Sequence, residues 1–255
     1  MADQTKQSPP RKSRKIAGAA IVLAVIIILG GVGLRLLTPA APTSTSTIVT
    51  PPASSSIMIA TSASGSSNSP NLTSNLLAGS PPSLGSPTAP VTIVEFGDYQ
   101  CPTCGAWYNS QEVSLIQNIV NTGKARLVWR DFDYYGPDSV SASEAAYAAG
   151  EQGKFWQFHD LLFQRQQTPN SGWASKQNME KFAQQLGLNM TQFNQAFNSG
   201  NYDALINANH SLGMQAGVTE TPTFFLIGPN GKMITIAGDQ PESVFEQAVA
   251  SLTSG

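Results

Sequence analysis

The chain contains two cysteines, and they stand three positions apart in the segment Cys101-Pro102-Thr103-Cys104. Two thiols at this spacing can close an intramolecular disulfide and exchange it with the thiols of a second molecule. The pair follows an apolar run typical of a strand and precedes a helical pattern, so Cys101 is expected at a helix N-terminus. Unpaired backbone N–H groups and the helix dipole favour a thiolate there and lower its pKa. We therefore predict a redox-active disulfide in which Cys101 is the more acidic thiol and Cys104 the more buried one.

Three other interpretations of the cysteine pair stay open at this point. The pair could be a static disulfide, although so short a loop constrains the unfolded chain little. It could be half of a metal site, although the two histidines of the chain, His159 and His210, are both distant from it in sequence. It could also be a reduced pair without a function, which an oxidising compartment disfavours. We expect no metal and no cofactor apart from the redox-active disulfide itself.

Glu95 is a candidate proton carrier for this pair. It lies in the run VTIVEF, where its neighbours Val94 and Phe96 are apolar. That pattern predicts a buried central strand and a proton-accepting carboxyl group beneath Cys104. The alternative is an exposed glutamate at the end of the strand.

Thr221 and Pro222 directly precede another strand-like run. Proline cannot donate to a sheet ladder, so Pro222 should stand at the start of the strand, where a cis bond would be a deliberate feature. A cis turn beside the cysteines would expose the backbone of Thr221 for pairing with an extended peptide. We therefore predict that both residues bind substrate.

The elements that must position these residues follow the order strand, helix, strand, helical block, strand, strand, helix. A parallel crossover comes first and a hairpin last, which predicts an α/β thioredoxin fold with a helical insertion between the second and third core strands. The predicted strands are 91–96, 125–132, 223–227 and 233–237, the helical insertion is about 139–217, and the last helix is 241–252.

The N-terminal third differs in composition from the rest. Residues 1–15 hold five basic groups and one acid, and 16–34 hold no charge. At about 1.5 Å per residue, an apolar segment over 16–37 reaches about 30 Å, the thickness of a bilayer core. We predict a cytoplasmic basic tail (1–15) and a transmembrane signal-anchor helix (16–37). A cleavable signal peptide is the alternative, although its apolar region would be shorter.

A Ser/Thr/Pro-rich segment, 38–83, is predicted to be a flexible, disordered stalk, because it offers too little apolar surface for a core. The extracytoplasmic body is then 84–255, and it is large enough for one well-packed core. The whole chain carries a formal charge of −2, and residues 91–255 hold 8 basic and 15 acidic groups, or 8 − 15 = −7. This balance argues against nucleic acid as a partner.

Three segments resemble a known family: LGSPTAPVTIVEFGDYQCPTC, GKFWQFHDLLFQ and GVTETPTFFLIGPNGK. They are similar to the membrane-anchored or secreted DsbA-like thiol-disulfide oxidoreductases of the thioredoxin superfamily, close to the group found in Gram-positive bacteria and archaea. The resemblance covers about 84–252. It implies that Cys101 is the exposed nucleophile, Cys104 the resolving thiol and Glu95 the buried acid. It also implies that Pro222 is the cis-proline and that Thr221 faces the substrate.

The same resemblance implies a dithiol oxidase that introduces disulfides into reduced or unfolded exported proteins. The predicted anchor makes it a single-pass cell-membrane protein, and we expect a monomer because the sequence offers no obvious dimerisation region. A quinone-linked membrane oxidase of the DsbB or VKOR type would reoxidise it. Pro102 and Thr103 would tune the redox potential, and the Pro-Thr dipeptide, where strongly oxidising members have Pro-His, implies a weaker oxidant. A disulfide isomerase or reductase, a thiol-based copper chaperone and a surface-tethered binding module stay open as alternatives.

Overall fold

The computed structural model of the chain describes residues 70–254. The predicted basic tail, the predicted transmembrane helix and the predicted stalk up to residue 69 lie outside the described residues. Within 70–254, every helix is too short or too polar to cross a bilayer.

Five strands lie within these residues: β1 (Ser83–Leu84), β2 (Val91–Gly97), β3 (Ala125–Asp131), β4 (Thr223–Ile227) and β5 (Met233–Ala237). They form one mixed sheet in the order β1-β3-β2-β4-β5. Strand β2 is central and fully buried, as its mainly apolar run predicts, and it pairs in parallel with β3 and antiparallel with β4. Strands β4 and β5 form the predicted hairpin.

The helices follow the predicted order. Helix α2 starts directly after Cys101 and runs through four successive segments, of which the second and fourth are π-helical: Pro102–Trp107, Tyr108–Glu112, Val113–Leu115 and Ile116–Val120. The predicted helical insertion is present between β3 and β4. It comprises α3 (Pro137–Gly150), α4 (Phe155–Arg165), α5 (Lys176–Gln185), α6 (Met190–Phe197) and α7 (Asp203–Ala216), and α8 (Glu242–Thr253) ends the fold.

The two faces of the sheet bury different side chains, because successive residues of a strand point to opposite sides. On β2, Ile93 packs with side chains of α2 and α8. Val94 and Phe96 point to the other face and pack with β4 and with the segment before β1. Glu95 shares the face of Ile93 by alternation, which is the face that α2 covers.

One prediction about domain boundaries is wrong. The stalk was expected to continue to residue 83, but Pro70–Leu77 form a helix, α1, and Ser83–Leu84 form the edge strand β1. The side chain of Leu76 is fully buried, and the carbonyl O of Leu76 accepts a hydrogen bond of 3.0 Å from the buried guanidinium of Arg130. The body therefore includes residues 70–83, because this polar segment has one apolar helix face.

Candidate active site

Cys101 is the N-cap residue of α2. Its Sγ accepts a hydrogen bond of 3.5 Å from the backbone N of Cys104. On its other side, the thiol donates to the carbonyl O of Thr221 at 3.3 Å. Both cysteines are free thiols in this structure. The geometry thus shows the reduced dithiol, with Cys101 held between the start of α2 and the residues that precede β4.

The pKa values of the two thiols shift in opposite directions. The thiol of Cys104 makes the largest contribution that lowers the pKa of Cys101, which falls to about 6. The side chain of Thr221 and backbone N–H groups lower it further, while burial acts against them. Burial raises the pKa of Cys104 well above its ordinary value, and Cys101 and Glu95 add to that increase. The negative charge of the reduced pair therefore resides on Cys101, which makes it both the nucleophile and the better leaving group.

Glu95 is buried on the same face of the sheet as α2, with 1% of its surface exposed. In the sheet it stands opposite Trp129 of β3 and Phe224 of β4. Burial, and then the charge of Glu112, raise the pKa of Glu95 well above its ordinary value. Its Oε2 has no hydrogen-bond partner among residues 70–254. The exposed strand-end alternative is therefore wrong, and the carboxyl group favours its protonated form.

Thr221 and Pro222 are joined by a cis peptide bond immediately before β4. Pro222 is buried, Thr221 is half-buried, and the Pro222 carbonyl accepts a hydrogen bond of 2.8 Å from the N–H of Gly238. This turn holds the backbone of Thr221 against Cys101. The fold thus brings together two segments that are 120 positions apart in the chain.

Asp98 organises the turn between β2 and α2. Its buried carboxylate accepts hydrogen bonds from the backbone N of Gln100 and Tyr134, each at 2.7 Å, and of Tyr135 at 3.0 Å. These bonds tie the loop after β3 to the loop that carries Cys101. Burial, and then the charge of Cys101, raise the pKa of Tyr135. Tyr134 is 73% exposed and packs edge-on against Tyr135, so two aromatic rings lie at the rim of the site.

The side-chain amide of Gln166 closes the site from the end of α4. It donates to the carbonyl O of Tyr99 at 2.7 Å and of Cys101 at 2.9 Å. Gly105 leaves room for this amide, because a Cβ at that position would lie 2.0 Å from the Gln166 Oε1. The loop before the cysteines is therefore fixed by an element of the helical insertion.

The resemblance implied an exposed nucleophile, and the structure corrects this. Cys101 is only 4% exposed, compared with 1% for Cys104. The turn at Thr221 and the first turn of α2 shield the Cys101 side chain from solvent. Pro102 and Thr103, by contrast, are exposed. Within residues 70–254, no three side chains of the His, Cys, Asp and Glu types are grouped so that they could hold a metal ion.

Comparison with family models decides the family. A model described as Thioredoxin matches residues 78–242, more than half of the chain. The chain belongs to the thioredoxin family.

The solved structures of this family support the same fold. The crystal structure of oxidised BdbD from Bacillus subtilis matches with a TM-score of 0.62 at 21% identity, over 69% of this chain and 94% of BdbD. DsbA structures from other bacteria match in the same way. The thioredoxin fold that the sequence predicts is therefore confirmed.

Two relatives of known name are similar to this chain in sequence. Disulfide bond formation protein D of Bacillus subtilis is 24% identical over 164 residues, 63% of this chain and 72% of that protein. The Na(+)/H(+) antiporter NhaA 3 of Salinispora tropica is 32% identical over 142 residues, 55% of this chain. The chain spans only 20% of that antiporter's length, so the match carries no inference about ion transport.

Sequence reasoning missed several residues of this thioredoxin-family site. Asp98 carried a usable signal, because a carboxylate directly after a buried strand can cap the turn that follows. Tyr135 and Gln166 carried none, since they come from a loop and a helix end far along the chain. Glu112 and His159 carried no signal either, and the fold places them in contact with each other at 3.4 Å.

Proposed function

We propose that this chain is a protein thiol-disulfide oxidoreductase that acts as a net oxidase of dithiols through Cys101 and Cys104. The observation that carries the proposal is the difference between the pKa values of the two thiols. Hydrogen bonds lower the pKa of Cys101 to about 6, whereas burial raises the pKa of Cys104. A stabilised Cys101 thiolate favours the reduced enzyme, so the oxidised enzyme is the stronger electron acceptor.

The reaction proceeds in two exchanges. A substrate thiolate attacks Sγ of Cys101, the Cys101–Cys104 bond breaks, and its electron pair goes to Cys104, which takes up a proton. The second substrate thiolate attacks the substrate sulfur of the mixed disulfide and expels Cys101 as a thiolate. The substrate dithiol loses two electrons and two protons, and the enzyme disulfide becomes a dithiol in which Cys101 is ionised at neutral pH.

The surrounding residues supply the other roles. The backbone of Thr221, held by Pro222, is the binding edge for an extended substrate strand beside Cys101. Glu95 exchanges the proton of Cys104. Pro102 and Thr103 tune the potential, and a Pro-Thr dipeptide favours a weaker oxidant than a dipeptide with histidine would.

The proposed substrates are reduced or unfolded exported proteins. A quinone-linked membrane oxidase of the DsbB or VKOR type would restore the disulfide. The predicted anchor over 16–37 supports a monomer tethered to the cell membrane with its N-terminus in the cytoplasm and its body outside. The relative named disulfide bond formation protein D supports the direction of electron flow.

The test uses the purified, oxidised full chain and a reduced, unfolded protein with known native disulfides. We expect stoichiometric loss of substrate thiols and a matching gain of enzyme thiols. Cys101→Ser should abolish the exchange, and Cys104→Ser should trap a mixed disulfide. Full activity of both variants would overturn the proposal.

The direction of transfer has its own measurement. The reduction potential of the Cys101/Cys104 couple, measured against glutathione, should lie toward the oxidising end of the thioredoxin superfamily. A potential at the reducing end would replace the oxidase with a reductase. Scrambled disulfides repaired faster than reduced thiols are oxidised would favour an isomerase.

A further inference from the structure

A buried polar cluster lies beside the dithiol, in addition to Glu95. Its members are Glu112 on α2, His159 on α4 and Tyr99 in the turn before α2, and each is at most 1% exposed. Burying so many ionisable groups is unfavourable unless their charges are matched. The reaction steps above leave Glu112 and His159 without a role.

The contacts form a chain. The hydroxyl of Tyr99 is 3.1 Å from Nδ1 of His159. On the other side of the imidazole ring, Nε2 of His159 is 3.4 Å from Oε1 of Glu112. Both carboxylate oxygens of Glu112 and Oε2 of Glu95 have no hydrogen-bond partner among residues 70–254. Glu112 is also the charge that acts most strongly on Glu95.

A negative charge on Glu112 raises the pKa of Glu95, because two buried carboxyl groups that interact cannot both ionise without a large penalty. The position of His159 decides which of them carries the charge. The Tyr99 phenol keeps its proton, and a hydrogen bond donated from it to Nδ1 places the imidazole proton on Nε2. That N–H lies 3.4 Å from Glu112, and its positive end favours a charge on Glu112 although no hydrogen bond forms there. The proton then stays on Glu95, the carboxyl group that lies within electrostatic range of Cys104.

We propose that Glu112 and His159 are positioning residues for proton transfer at Cys104. His159 keeps the charge of the carboxyl pair on Glu112, and that charge keeps Glu95 protonated until the disulfide opens. This inference rests on the proposed function. When a substrate thiolate breaks the Cys101–Cys104 bond, Glu95 gives its proton to the departing Cys104 sulfur and later regains one from solvent.

The other charged and titratable groups near the cluster do not supply this charge. Most are buried phenols, thiols or further carboxyl groups, and the strand opposite Glu95 contributes the apolar ring of Phe224. The groups that face the cluster are Asp98 from the turn, Cys101 at the N-cap of α2, Cys104 and Tyr108 from α2, Asp131 from β3, Asp133 from the loop after β3 and Tyr147 from α3.

The test is the pH dependence of the first exchange, measured by stopped flow with the oxidised full chain and a reduced model peptide. The descending limb of the rate at high pH reports loss of the proton from Glu95. Glu112→Gln removes the neighbouring charge and should move this limb to lower pH by about one unit or more. At a pH between the descending limb of the variant and that of the wild type, the variant should then exchange about tenfold more slowly than the wild type.

His159→Phe keeps an aromatic ring in the cluster but removes the group that stabilises the Glu112 carboxylate. A charge on Glu112 is then less favoured and raises the pKa of Glu95 less, so this variant should also move the limb to lower pH. Glu95→Gln should remove the limb, and adding Glu112→Gln to it should change nothing further. Glu246→Gln, an exposed carboxylate on α8, is the matched control and should leave the profile unchanged.

The outcomes separate two failures. If the wild type exchanges disulfides but lacks the limb, or if Glu112→Gln and His159→Phe leave it in place, this inference is overturned and the proposed function stands. A Glu112→Gln effect that persists undiminished in the Glu95→Gln background also overturns it, because the residue then acts through packing. If the wild type exchanges nothing, the proposed function itself is overturned.

Discussion

Burial and hydrogen bonding act in opposite directions on the thiol of Cys101. Burial alone would raise its pKa, as it does for Cys104, yet the pKa of Cys101 falls to about 6. The difference arises because Cys101 is the N-cap residue and receives hydrogen bonds from the Cys104 thiol and from backbone N–H groups. This local arrangement was predictable, since it depends on four consecutive residues and the start of one helix.

The lowered pKa of Cys101 should appear in the pH dependence of the reduction potential. Below pH 6 reduction takes up two protons, and above it only one, because Cys101 stays ionised. For a two-electron couple the slope should therefore change from about 60 to about 30 mV per pH unit. The folded reduced form likewise gains stability above the ordinary pKa of a thiol and loses it as the pH falls through about 6. Equilibration with dithiothreitol at a series of pH values measures the break.

Thr221→Val is the matched variant for this measurement. It removes the side-chain hydrogen bond that lowers the pKa of Cys101 but keeps the carbonyl group beside the sulfur. The break in the slope should move to higher pH. A wild-type slope without a break near pH 6, or an unmoved break in the variant, would show that these hydrogen bonds do not stabilise the thiolate.

At the scale of elements, the first turn of α2 depends on the end of α4. The Gln166 amide bonds the carbonyl groups of Tyr99 and Cys101, and the missing side chain of Gly105 provides its space. The helical insertion thus helps to hold the loop that carries the nucleophile. The motif alone did not reveal this, because Gln166 is 65 positions from Cys101.

Gly105→Ala should destabilise the protein through this contact. The added methyl group would lie 2.0 Å from the Gln166 Oε1, so the amide must move and give up its two hydrogen bonds. We expect a loss of about 1–3 kcal/mol in the free energy of unfolding, measured in urea. In a Gln166→Ala background the same substitution should have little further effect, because the clash is gone. Gly150→Ala, with its nearest contact at 3.4 Å, is the control and should be neutral or stabilising.

The elements that were predicted accurately have local signals. Thr223–Ile227 and Met233–Ala237 are apolar runs separated by a glycine-rich turn, and their bounds match the prediction. Helix α1 was missed because its composition resembles a linker. What stabilises it lies elsewhere in the chain, in the apolar side chains of one sheet face and in the guanidinium of Arg130. Long-range partners of this kind leave no mark on the segment itself.

At the scale of the molecule, the sheet separates two roles. One face carries Ile93 and Glu95 beneath α2, and its chemistry depends on burial around the dithiol. The other face carries Val94 and Phe96 against Leu76 of α1. A change on the second face should therefore alter the stability of the fold without altering the electrostatics of Cys101.

Leu76→Ala tests this separation in the full chain. Leu76 is fully buried, so its truncation should lower the free energy of unfolding by about 2–5 kcal/mol. The loss follows from the cavity that it opens and from loosening the helix end whose carbonyl group binds Arg130. The Cys101 thiolate, followed by its ultraviolet absorbance, should titrate as in the wild type while the protein stays folded.

Asn75→Ala, exposed on the same helix, is the control and should leave both the stability and the thiolate titration unchanged. A Leu76→Ala protein as stable as the wild type would mean that α1 is not part of the folding unit, and a shifted thiolate titration would mean that the two faces of the sheet are coupled.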